Sequence, residues 1–133
     1  VLKEGLDAWR AIERGQLRRA LDARPPGIIS LGDGALLDAD NAALVARKAT
    51  LVYLRASVED LARAVRRELD EQPGRYPTFM QRGAVVTSAA LGPLLAAREP
   101  GYLAGSVVVD IAGRRPVQVA KSVMAAVGLD SGQ

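Results

Sequence analysis

Three short apolar runs, "GIISL" (Gly27–Leu31), "TLVYL" (Thr50–Leu54) and "SVVVDI" (Ser106–Ile111), are separated by segments of helical period. That alternation constrains the fold more than any other feature. Runs rich in β-branched residues, apolar without a polar residue at every second place, read as strands covered on both faces, the kind from which parallel sheets are built. Strands alternating with helices predict an α/β fold, a three-layer parallel sheet with flanking helices. With 133 residues, 49% of them hydrophobic, one domain spanning residues 1–133 has enough apolar material for a core.

The segments between the runs carry helix signals. Leu6, Trp9, Ile12, Leu17 and Leu21 fall mostly on one helical face, with Arg and Glu opposite, and "ARPPG" ends that helix. Asp40 or Asn41 is expected to cap a short helix reaching Arg47. Ser57 with Asp60 marks a capping box and a helix to about Leu69. The polar stretch from Asp70 to Gly83, broken at Pro73-Gly74 and Pro77, predicts a mobile loop. A helix resumes in "TSAALGPLLAAREPGY" and is expected to stop before Pro100; the last runs from Val117 to Val127 and ends at Gly128.

Composition removes whole classes of chemistry. Without cysteine there is no disulfide, thiolate metal site or cysteine nucleophile, and without histidine the commonest general base is gone. A reducing, cytoplasmic setting is the default expectation. No apolar run approaches the roughly 20 residues of a membrane span, so no membrane partner is expected. A net charge of +3 with few aromatics argues against nucleic acid. Of 18 basic residues only Lys3, Lys48 and Lys121 are lysines, and arginine suits bidentate contact with carboxylate or phosphate. A GC-rich genome, which also explains the Ala, Gly and Leu content, is the plainer source of that excess.

Ligands of parallel sheets sit beyond the carboxyl ends of the strands. Gly32-Asp33-Gly34, Arg55-Ala56 and the stretch from Asp110 to Pro116 fall there, with Arg10 and the Asp70–Gly83 loop able to overhang. Several arginines round one crevice predict an anionic ligand.

In that order the stretches "GLDAWRAIE", "SLGDGALL", "TLVYLRAS", "GRYP", "AAREPGYL" and "VVVDIAGRRP" resemble the shikimate kinase family over almost the whole chain. The resemblance implies a P-loop kinase fold of the nucleoside monophosphate kinase type and ATP- and Mg²⁺-dependent phosphorylation of the shikimate 3-hydroxyl, a step of aromatic amino acid biosynthesis. It implies that Arg10 and Arg98 bind the shikimate carboxylate, and that Gly32 and Gly34 line substrate and metal-nucleotide with bare backbone. It implies further that Arg75 reaches the transferring phosphate, and that Arg114 and Pro116 lie beside adenine. The plainer readings stand beside these: Arg10 and Arg98 paired with Glu13 or Glu99, Arg75 a loop charge, Pro116 a first-turn helix proline.

Two departures qualify the resemblance. Asp33 stands where the family has the middle glycine. It is expected to pair with Arg10 or Arg98 and weaken shikimate recognition, the alternative being a water-mediated hold on Mg²⁺. The second departure is larger. No G-x-x-x-x-G-K-[ST] phosphate loop is present, and the only Lys-Ser, Lys121-Ser122, follows Ala120 inside the last helix. The family's first two strands and its acidic residue at the attacking hydroxyl are absent with it, leaving an incomplete P-loop kinase fold. Catalysis and ATP binding by these residues alone are therefore doubtful. The sheet is expected to be completed by an upstream segment or by self-association; Val1 in place of a starting methionine favours a longer polypeptide. The alternative is a non-catalytic domain that senses a small acid.

Overall fold

A computed structural model describes residues 3–32, 34–72 and 87–129. Helix α1 (Lys3–Asp22) leads through an extended segment to a 3₁₀ turn (Ala35–Leu37) and helix α2 (Ala39–Lys48). Strand β1 (Val52–Arg55), helices α3 (Val58–Glu71) and α4 (Ser88–Leu103), strand β2 (Val107–Asp110) and helix α5 (Pro116–Ala126) complete the order. The α/β class holds, with helices around a small sheet. That sheet has two strands, β1 and β2, parallel and in register from Val52 beside Val107 to Arg55 beside Asp110.

The first expected strand does not form. Gly27–Leu31 is extended but has no ladder partner among the described strands. Its residues alternate: Ile29 and Leu31 pack against the core, whereas Ile28 is fully exposed. A strand needs a neighbour for its N–H and C=O groups as well as an apolar sequence, and β1 and β2 pair only with each other here.

Two small cores hold the described residues together. In the first, Leu17 and Leu21 of α1 meet Leu44 and Val45 of α2, with Ile29, Leu31, Leu36 and Leu51 packed round them. In the second, Ala62 of α3 meets Leu91 of α4, flanked by Val58, Leu61, Val65, Leu69 and Leu94.

The helix ends follow local chemistry, with two corrections. Ser57 accepts from the Asp60 N–H at 3.1 Å and starts α3 as expected. The cap of α2 is Asp38, earlier than the sequence suggested, because its carboxylate accepts from the N–H groups of Asp40 (2.9 Å) and Asn41 (3.1 Å). Helix α4 does not stop before Pro100 but runs to Leu103. Proline removes one backbone donor, and two side-chain links tie that last turn to β1. The Tyr53 hydroxyl donates to Glu99 Oε2 at 2.8 Å, and the Tyr53 and Tyr102 rings lie 5.2 Å apart. The Asp70–Gly83 loop falls for the most part outside the described residues, and α3 continues to Glu71.

Burial first, and then the Glu99 carboxylate, push the Tyr53 phenol up from 10.0 to about 12. The fold thus favours the neutral phenol. Its contribution is whole below pH 10.0 and is lost as pH rises through about 12. A tyrosinate absorbance titration is expected to show one of the chain's three tyrosines ionising late, and Glu99→Gln to move that step back toward 10.0. A titration unchanged by Glu99→Gln contradicts the link.

Candidate functional site

Helix α1 places Arg10 and Glu13 one turn apart on the same face, where i,i+3 side chains meet. Arg10 Nη1 donates to Glu13 Oε1 at 2.9 Å, and the two side chains are only 24% and 15% exposed. This ion pair lies on the glycine turn. A Cβ built on Gly34 would stand 2.7 Å from Arg10 Cζ and 2.8 Å from Nη1. One built on Gly32 would stand 2.7 Å from Glu13 Oε2. Real Cβ atoms essentially never come within 3.0 Å of a neighbour. Gly34 has φ −105°, which any residue adopts, so its lack of a side chain serves the close approach and not the backbone angle.

Arg14, one turn beyond Arg10, reaches the same segment further along. Its Nη1 donates to Asp38 Oδ2 at 3.2 Å. The Asn41 N–H holds the Asp38 carboxyl below its ordinary 3.8, against an opposing loss of solvation, and Arg14 adds to the effect. Between these two anchors, the Ala35 N–H donates to Gly32 O and the Leu37 N–H to Gly34 O, both at 3.1 Å. The turn is thus closed on itself and gripped by α1 at both ends. Beside it lies a groove of about 380 Å³ lined by Trp9, Ile12, Glu13, Ile29, Leu31, Gly32 and Ala35, among others.

The structure therefore brings Arg10, Gly32 and Gly34 together. The plainer expectation for Arg10, pairing with Glu13, holds as well. Arg98 lies on α4, one residue before Glu99, whose carboxylate takes the Tyr53 hydroxyl and Arg55 Nη2, the latter at 3.4 Å. The last turn of α4 comes alongside the glycine segment, since a Cβ on Gly101 would lie 3.9 Å from Leu36 O. Arg114 and Pro116 sit past the carboxyl end of β2. Arg114 Nη1 donates to Ser122 Oγ at 2.7 Å, and Pro116 is the first residue of α5. Asp110 Oδ1 accepts from the Ala112 N–H at 2.9 Å and shapes that turn, where Gly113 has φ 67°. Asp33 and Arg75 lie outside the described residues.

A cradle of backbone amides for the phosphates of ATP is built from a G-x-x-x-x-G-K-[ST] sequence. The phosphate-loop sequence is missing, and among the described residues no group of three acidic side chains could hold a metal ion. Nor is any described helix long and apolar enough to cross a membrane. Sequence reasoning missed two parts of the site: Glu13 as cover for Gly32, and Asn41, the one buried polar residue among those described. The first had a signal in the Arg-x-x-Glu spacing. The second had none, because an asparagine near a helix start reads as a cap.

Comparison with known proteins points to one family. The sequence profile described as "Shikimate kinase" matches residues 1–127. A shikimate kinase of Frankia casuarinae is 35% identical over 128 residues, covering 96% of this chain and 52% of that protein. One from Caulobacter vibrioides is 37% identical over 119 residues, 87% of this chain and 53% of its own. One from Stenotrophomonas maltophilia is 45% identical over 75 residues, 53% of this chain and 41% of its own. The chain thus spans about half the length of the curated relatives it matches. No solved structure matches it. The chain belongs to the shikimate kinase family.

Proposed function

We propose that these residues form the acid-binding part of a kinase that phosphorylates shikimate with ATP and Mg²⁺. The observation that carries this reading is the Arg10 guanidinium laid over the bare backbone of Gly34. A guanidinium offers five N–H donors, and the Glu13 bond engages one of them. Glu13 also neutralises Arg10, so a second cation is needed for a net attraction to a carboxylate. Arg98 fills that role in this reading, on the helix end that lies beside the glycine segment. Two arginines on one carboxylate give it orientation as well as charge. Gly32 and Gly34 leave room for Glu13 and Arg10 to come close to the turn, and Asp33 is assigned the part of a competing carboxylate. Arg75 is assigned to the transferring phosphate, and Arg114 and Pro116 to the adenine side.

Phosphoryl transfer itself needs a phosphate loop, which is not among these 133 residues. No step through ATP is therefore assigned to side chains present here. Asp33 in place of the family glycine motivates a second reading, a kinase-like domain that binds a small acid without catalysis. The two share the clamp and differ in turnover. ATP consumption with shikimate, regained when a phosphate-loop segment is supplied, supports the kinase; binding without turnover in that reconstituted protein supports the sensor.

Calorimetric titration with shikimate tests the clamp. Arg10→Ala or Arg98→Ala is expected to weaken binding by about 1.5 to 3 kcal/mol, the scale of a hydrogen bond to a charged group. Lysine at either position should recover only part of that, because the planar fork is lost. Equal affinity in the wild type and Arg98→Ala refutes the assignment. Asp33→Gly removes the competing charge and is expected to tighten shikimate by about tenfold. Weaker binding in that variant, seen only with Mg²⁺ present, would show instead that Asp33 serves a metal.

A further inference from the structure

Helix α2 turns Leu44 and Val45 into the core beside α1, and one turn before Leu44 it buries a different kind of residue, Asn41, only 2% exposed. A buried amide is costly unless it is hydrogen-bonded. Asn41 Nδ2 donates to the Ala35 carbonyl at 3.0 Å. Ala35 directly follows Gly34, and its own N–H closes the turn on Gly32 O. The backbone N–H of Asn41 donates to Asp38 Oδ1, while Arg14 holds the other oxygen of that carboxylate. One side chain therefore connects the start of α2 to the residue that follows the glycine against which Arg10 lies. A leucine there would fill the same space and leave the Ala35 carbonyl without this donor.

We infer that Asn41 is a positioning residue: it holds the Gly32–Leu37 turn where Arg10 and Glu13 come close to its glycines, and so sets the geometry of the acid clamp. This inference rests on the acid-binding reading of Arg10. The direction of the effect follows from the contacts. Without the amide the Ala35 carbonyl must find water or another donor, so the turn shifts and the guanidinium follows it. A purely structural asparagine would lower the melting temperature and leave the affinity of the folded protein alone.

The test uses the whole chain, shikimate as probe, and temperatures at which every variant is folded. Asn41→Ala is expected to raise the shikimate Kd by about tenfold, and Asn41→Ser, which keeps a shorter donor, by less. Leu44→Ala, a cavity in the same helix, is expected to lower the melting temperature but keep the Kd within about twofold. In an Arg10→Ala background, Asn41→Ala should change the Kd by less than about twofold, since residues acting through one another are not additive. An unchanged Kd in Asn41→Ala, or the same loss with and without Arg10, overturns the inference. If the wild type binds no shikimate, the acid-binding reading fails, and amide hydrogen exchange then decides the positioning role. Faster exchange at Ala35 and Leu37 in Asn41→Ala than in Leu44→Ala, with Val107 and Ile111 unchanged, sustains it. Equal exchange in the two variants overturns it.

Discussion

An arginine guanidinium lies against backbone that has no side chains, and the rest of the site depends on that contact. It needs two glycines, because a Cβ at Gly34 would press into Arg10 and one at Gly32 would press into Glu13. It also needs the Arg-x-x-Glu spacing on α1, which sets both charged groups on one face and lets each cover one glycine. Neither glycine is present for a left-handed backbone. Both are present for space, as expected where a strand-like segment ends and a charged group must come close.

That contact is held by modest packing. Leu17 and Leu21 fasten α1 to Leu44 and Val45 of α2, and the glycine segment is threaded between the two helices. Arg14 and Asp38 pin its far end, and the amide of Asn41 pins its middle. On the other side, Glu99 gathers Tyr53 and Arg55 from β1 and brings the end of α4, with Arg98 just before it, toward the same segment. Surface ion pairs alone contribute little to stability. Their value here lies in orientation: Arg14 ties α1 to the start of α2, and Arg55 ties β1 to α4.

Much of this was legible in the chain itself, and the failures have physical causes. The 3.6-residue period located α1, Ser57 announced α3, and the β-branched runs marked β1 and β2, because those signals depend on neighbours along the chain. Gly27–Leu31 misled for the opposite reason. Its apolar residues are those of a strand, but a strand is made by its partner, and no described strand pairs with it. Pro100 misled because a local rule about proline ignored Tyr53 and Tyr102, which hold the last turn of α4 from a distant part of the sequence. Strand-end topology put Gly32, Gly34 and Arg10 round one crevice together with Arg55 and Arg114, and only the family resemblance singled out Arg10 for the acid. Asn41 was misread as a possible cap because its bond to Ala35 depends on a turn that no pattern announces.

The central claim is that the empty space above Gly34 exists for Arg10, and that Arg10 there binds an acid. Gly34→Ala tests it most directly. The backbone angle at Gly34 tolerates alanine, and the three atoms nearest the new Cβ belong to the end of a long side chain, which can swing away. The folded state is therefore expected to keep its stability, or to gain slightly from the stiffer unfolded chain. Shikimate affinity is expected to fall as far as it does in Arg10→Ala, with no further loss when the two changes are combined. Wild-type affinity in Gly34→Ala, in a protein as stable as the parent, would contradict the account.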